Sequence, residues 1–244
     1  MRHALAAVLL VSVAAAPAAA QARTVRLPSA VHGGAERIAA VLLPTGYADS
    51  GKRYPVLYLL HGGGQDHTAF MARSAFPRTA RRNEMIVVMP AADRTIGARG
   101  ADAQARYETF LATELVPYVD EHYRTVAAQQ GRAIGGISQG GGFAASTALR
   151  YPEVFGAVGA LSAAFRGAAA ETAGAAVTTD FYVSCGTADS LLPASRQLAS
   201  LLGQRKIPHE YKEIPGGEHD WAVWDAELAV FIDRLAARGG WRAP

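Results

Sequence analysis

A chain of 244 residues and 25.6 kDa holds one large α/β or all-β domain, or two small ones, and excludes a long multidomain assembly. Half of its residues are hydrophobic and only 18% are charged, which supplies a full core and excludes a disordered chain. The net charge of +3 rests on scattered arginines whose densest group, Arg78, Arg81 and Arg82, is too small to track a phosphate backbone, so no nucleic-acid partner is expected; the single Cys185 excludes an intrachain disulfide and a cysteine-based zinc cluster.

Residues 1–22 begin with Arg2 and His3, continue through an apolar run from Ala4 to Ala16, and end in small residues that suit signal peptidase. They read as a cleaved export signal, too short in its apolar part to span a bilayer, which places the mature protein in the periplasm or the medium without stable membrane insertion. The remainder, 23–244, alternates apolar runs with segments of helical period, the pattern of βαβ units around a mostly parallel sheet with helices on both faces.

Two strands, Thr24 to Leu27 and Arg37 to Leu43, flank His32-Gly33-Gly34 and are expected to pair antiparallel at the N-terminal edge. Tyr54 to Leu60 is a buried strand, followed by a helix from Thr68 to Arg81 and a strand from Met85 to Met89. Apolar Phe110, Leu111, Leu115 and Val119 predict a helix over Tyr107 to His122. Then come strand Arg132 to Ile137, helix Gly140 to Arg150, strands Ala157 to Leu161 and Asp180 to Cys185, helix Pro193 to Leu202, strand Glu210 to Ile214 and helix Trp221 to Arg238. Gly167 to Thr178 reads as a loop or weak helix.

Gly136-Ile137-Ser138-Gln139-Gly140 matches G-x-S-x-G where an apolar strand meets an alanine-rich helix. A serine on that turn is exposed at the carboxyl edge of the sheet, and the Gln139 backbone N–H at the helix N-terminus can hold an oxyanion. His61-Gly62-Gly63-Gly64 ends another strand at the same edge; Gly63 is the expected second N–H donor, with Gly64 behind it, and His61 is expected to be structural.

A serine nucleophile needs an imidazole base and a carboxylate to orient it. After Ser138 only His209 and His219 remain; His209 precedes its strand, at the wrong edge, whereas His219 follows it and is the expected base. Asp189 follows the strand ending at Cys185 and is the expected acid, ahead of Asp180 at the opposite end and Asp220 adjacent to the base. Cys185 is expected to be buried and inert, and Trp221 and Trp224 to be packing residues. Ser162 and Phe165 line the site or pack a loop; the residues leave both readings open.

Tyr54-Pro55-Val56-Leu57-Tyr58-Leu59-Leu60-His61-Gly62, Tyr107-Glu108-Thr109, Glu114 to Pro117, Gly135 to Gly141, Cys185 to Asp189, and His219-Asp220-Trp221 with Trp224 resemble the putative-esterase group of α/β-hydrolases, with esterase D, feruloyl esterases, enterochelin-esterase-like proteins and mycolyltransferases. The resemblance implies an α/β-hydrolase catalytic domain over 23–244, the triad Ser138, Asp189 and His219, no metal or organic cofactor, and a small-molecule or polysaccharide-linked ester as substrate. Gln139 stands where this group often has Met, which makes the acyl pocket more polar, and the short stretch between Ser162 and Asp180 implies little or no lid and an open cleft. The expected function is an exported serine esterase; acyl transfer to a sugar or alcohol uses the same machinery, and an idle binding module would keep only the fold.

Overall fold

The computed structural model describes residues 22–76, 80, 84–92, 100–167, 177–239 and 241. Among the described residues eight strands form one sheet: β1 (Arg23–Ser29), β2 (Ala35–Leu42), β3 (Val56–Leu60), β4 (Ile86–Pro90), β5 (Arg132–Ile137), β6 (Ala157–Leu161), β7 (Asp180–Gly186) and β8 (His209–Ile214), in the order β1-β2-β4-β3-β5-β6-β7-β8. β1 pairs antiparallel with β2, and β2 antiparallel with β4; every other pairing is parallel. The mostly parallel sheet with an antiparallel N-terminal edge is therefore present as expected.

Around it lie α1 (Ala69–Arg73), α2 (Ala101–Phe110), a π-helical turn (Leu111–Leu115), α3 (Val116–His122), α4 (Gln139–Arg150), α5 (Leu192–Gln204) and α6 (Trp221–Ala237). Successive strand residues point to opposite faces. Val56, Tyr58 and Leu60 of β3 thus join a core with Tyr107, Leu115, Phe143 and Leu202, while Leu57 and Leu59 join another with Phe70, Phe231 and Leu235. Helices cover both faces. Among the described residues no helix is long and apolar enough to cross a membrane.

Register lines up the carboxyl ends of the parallel strands. Leu60 faces Gly136, Ile137 faces Leu161, Leu161 faces Ser184 and Gly186 faces Ile214. The loops after β3, β5, β6, β7 and β8 therefore leave the sheet side by side. β3 leads to β4 on one side and the neighbouring β5 leads to β6 on the other, so the connections after β3 and β5 diverge, the arrangement at which open α/β sheets bind ligands.

Two predicted helices need correction. The helix expected from Thr68 to Arg81 is broken after Arg73, where Ser74 turns extended (φ −101°, ψ 151°) and is held by Asp225 of α6, which accepts from the Ser74 hydroxyl at 2.5 Å and from Ala75 N–H at 2.9 Å; Phe76 and Ala80 are helical again, and residues 77–79 and 81–83 lie outside the described residues. The helix expected from Tyr107 begins at Ala101; its first turns are small and polar and carry little apolar period. The π-helical turn then places Glu114 under the β1–β2 connection, where it accepts from the Ser29 hydroxyl at 2.5 Å and from Val31 N–H at 3.0 Å. The expected export signal falls, except for Ala22, outside the described residues, and so do residues 168–176, on which the expectation of an absent lid rests.

Candidate active site

Ser138 joins β5 to α4 with φ 55° and ψ −119°, a conformation that costs a non-glycine residue energy and has to be enforced by its surroundings. Three backbone bonds enforce it: Ser138 N–H donates to Leu161 O at 2.9 Å, and its carbonyl accepts from Gly142 N–H at 3.1 Å and Ala164 N–H at 2.9 Å. A side chain on Gly140 would collide with the carbonyl oxygens of Leu60 and His61, so only glycine lets α4 begin this close to β3.

The Ser138 hydroxyl meets His219 from the loop after β8. His219 Nε2 lies 3.0 Å from Ser138 Oγ, and Nδ1 lies 2.7 Å from Asp189 Oδ2. The other carboxylate oxygen of Asp189 accepts from Leu191 N–H at 2.8 Å. Burial alone pushes the Asp189 carboxyl up, but the Leu191 N–H, the adjacent Ser162 hydroxyl and His219 outweigh it and hold the group below the usual value, hence ionised. The Asp189 side chain is fully enclosed, while that of His219 is 34% exposed and open to a ligand.

The loops that carry Asp189 and His219 are stitched together. Ala188 N–H donates to Gly217 O at 2.9 Å, Thr187 N–H to Ile214 O at 2.9 Å, and Gly216 N–H to Thr187 Oγ1 at 2.8 Å. Directly after His219, Asp220 caps α6 by accepting from Val223 N–H at 3.0 Å. Trp224 packs edge-on against the imidazole with centroids 4.8 Å apart, and Trp221 joins Trp224 to Phe70 at 5.3 and 5.5 Å. The two tryptophans thus pack as expected, but they pack on the site.

The glycine loop lies against the serine. A Cβ placed on Gly62 would sit 3.6 Å from Ser138 Cβ, and one on Gly63 would sit 3.7 Å from Gln139 Oε1. Gln139 opens α4 and presents an N–H with no intrahelical partner. All five residues singled out in the sequence, Gly63, Ser138, Gln139, Asp189 and His219, therefore meet at one place.

The other residues weighed in the sequence do not join the Ser138–His219–Asp189 relay. His209 opens β8 at the amino edge, and Asp180 opens β7, paired with Arg238 at 2.6 Å. Cys185 is fully buried, and burial pushes its thiol up, away from the reactive thiolate. Ser162, at φ 45° and 1% exposure, borders Asp189, and Phe165 is buried in the core. Sequence reasoning missed the capping by Asp220, although an aspartate just before a helix is a readable N-cap signal. It also missed Gln65, whose Oε1 accepts from Gly62 N–H at 3.2 Å; no local pattern announces that bond. Among the described residues no three His, Cys, Asp or Glu side chains are grouped to hold a metal ion.

Comparison with known proteins places this geometry in context. A ferulic acid esterase of known structure superposes with a TM-score of 0.77 at 26% identity over 89% of this chain and 98% of that one. The CE1 ferulic acid esterase of Anaeromyces mucronatus, solved in complex with ferulic acid, gives 0.73 at 25% identity over 87% and 89%. The fold is that of the α/β-hydrolases. In sequence, Esterase MT1326 of Mycobacterium tuberculosis is 37% identical over 123 residues, which span 46% of this chain but only 25% of that protein's length. The family model described as "Putative esterase" matches residues 31–235, a stretch that contains every residue of the site, and the chain belongs to that family.

Proposed function

We propose that the protein is an exported serine esterase that cleaves carboxylic esters through an acyl-enzyme on Ser138. The observation that carries this reading is the relay from the Ser138 hydroxyl through His219 to the buried Asp189, at 3.0 and 2.7 Å, on a strained strand-to-helix turn. As the Ser138 oxygen attacks the ester carbonyl, His219 Nε2 takes the hydroxyl proton, and Asp189 stabilises the imidazolium and fixes its orientation. The Gly63 and Gln139 N–H groups receive the negative charge that develops on the carbonyl oxygen. Collapse breaks the bond to the alcohol, which leaves with the proton from His219; water, deprotonated by the same ring, then attacks the acyl-enzyme and releases the acid.

Ferulic acid bound to the Anaeromyces enzyme supports an aromatic acid as one side of the ester. The composition of residues 1–22 supports export, which N-terminal sequencing of the secreted protein checks by a start near Arg23. Turnover of short aryl, feruloyl and acetyl esters by the parent and by Ser138→Ala tests the mechanism. The variant should lose at least about 10⁴-fold in kcat and all labelling by a fluorophosphonate; activity retained in Ser138→Ala would refute it.

A further inference from the structure

His61 ends β3 just before the glycine loop and is only 3% exposed. Its two ring nitrogens face different partners. Nδ1 lies 2.9 Å from the Gly62 carbonyl oxygen, and Nε2 lies 3.0 Å from the amide nitrogen of Ala92, just beyond β4. A carbonyl can only accept and an amide N–H can only donate, so these partners put the proton on Nδ1 and leave Nε2 as acceptor. A charged ring would turn Nε2 into a donor facing a donor. Burial favours the neutral form and lowers the affinity of the ring for a second proton, with Asp66 and His67 as its titratable neighbours of opposite effect.

The Gly62 carbonyl also accepts from Gln65 N–H, at 3.3 Å. That carbonyl and the Gly63 N–H belong to one peptide unit, which is planar and trans, so they point in opposite directions. Fixing the carbonyl fixes the N–H. A loop of three consecutive glycines has the widest backbone freedom of any sequence and needs such a restraint if one of its N–H groups is to keep a constant aim.

We propose that His61 is a positioning residue for the oxyanion hole: its Nδ1–H grips the Gly62 carbonyl and thereby aims the Gly63 N–H at the substrate's carbonyl oxygen, while Nε2 anchors the ring to Ala92. The inference deepens the serine-esterase reading and rests on it. The imidazole touches no substrate and moves no proton; it acts through the Gly62–Gly63 peptide.

The test compares the parent, His61→Phe, which keeps a ring but neither nitrogen, and His61→Asn, whose side-chain amide can restore a donor near the place of Nδ1. Rates on a short aryl ester are expressed per Ser138 labelled by a fluorophosphonate, so that loss of folded protein does not count as loss of kcat. Removing an oxyanion donor outright costs about 10²–10³-fold in kcat, so a misaimed one should cost about 10–100-fold, with KM within about threefold. His61→Phe should show that loss together with weaker binding of a trifluoromethyl ketone, and His61→Asn should regain most of it. In the parent, ¹⁵N-resolved NMR near neutral pH should find the His61 proton on Nδ1; a proton on Nε2 overturns the proposal whether or not the variants fold. A His61→Phe enzyme within twofold of the parent in kcat per labelled site overturns it too, and leaves the esterase reading standing. A parent that hydrolyses no ester, or a Ser138→Ala variant that does, overturns the esterase reading and this inference with it.

Discussion

At the scale of residues, the site shows why a short motif was readable and its supports were not. Ser138, Asp189 and His219 each follow a strand and stand near glycines, so position along the chain announces them, although the strand before His219 is largely polar. What holds them comes from elsewhere: Leu191 and Ser162 around Asp189, Trp224 against His219, and Ala92 against His61. Asp189 is the sharpest case. Its hydrogen bonds keep it ionised in a closed environment, where a neutral amide of the same shape, its oxygen taken by Leu191 N–H, would present an N–H to His219 Nδ1. Asp189→Asn should therefore fold like the parent yet lose about 10⁴-fold in kcat, measured on the same aryl ester, because the imidazole would be held in the wrong tautomer. A loss below tenfold would show that Asp189 does not orient the base.

At the scale of elements, strands were easier to place than helices. Strand runs such as Val56–Leu60 and Ile86–Pro90 are apolar throughout, since both faces of the sheet are covered, and no other reading fits them. A helix was read through a break that a distant partner makes, as Asp225 does at Ser74, and another was started too late where the first turns lack apolar residues, as at Ala101. Between α2 and α4 lies a polar contact inside a core layer. The Glu108 side chain is fully buried and accepts from Gln104 Nε2 and Arg150 Nε, both at 2.8 Å. Burial raises the Glu108 carboxyl, and the bonds from Gln104 and Arg150 only partly offset this.

Removing one partner of such a pair is worse than removing both. Arg150→Met should cost about 3 kcal/mol in urea unfolding near neutral pH, whereas Glu108→Gln should cost clearly less. The sign with pH follows from the raised carboxyl. The unfolded chain releases this proton near the ordinary glutamate value and the folded one only above it, so stability is lost as pH rises between the two. Because Arg150→Met raises the folded value further, its deficit should shrink toward pH 4. A deficit that stays constant with pH would assign the loss to packing alone.

At the scale of the whole molecule, the alternation of apolar and helical segments gave the sheet its parallel centre, but strand order was not legible. Nothing local says that β4 lies outside β3 or that β2 pairs with β4, because that choice is made by long-range packing of the two cores. Acid should loosen the assembly in a defined window. His32 and His61 both have lowered proton affinity, chiefly through burial, assisted at His32 by Arg37. The unfolded chain takes up these protons as pH falls through about 6.5 while the folded chain resists, so the stability is fully present above that value and declines below it. Thermal unfolding followed from pH 7.5 to pH 5 should show a falling Tm, and an unchanged Tm would mean that both rings take up protons without strain.

The two outermost strands carry a consequence for behaviour at high concentration. An open sheet offers unpaired backbone groups at each margin, a template on which another chain can add a strand. Here β8 runs His209-Glu210-Tyr211-Lys212-Glu213-Ile214, with Glu210 and Lys212 exposed, and a stranger docking there would have to strip water from charges of both signs. At the far margin β1 carries Arg23, Arg26 and Pro28, and the proline takes one donor out of the ladder. The same sheet that aligns five loops on one edge should thus resist growing sideways into fibrils or stacked aggregates.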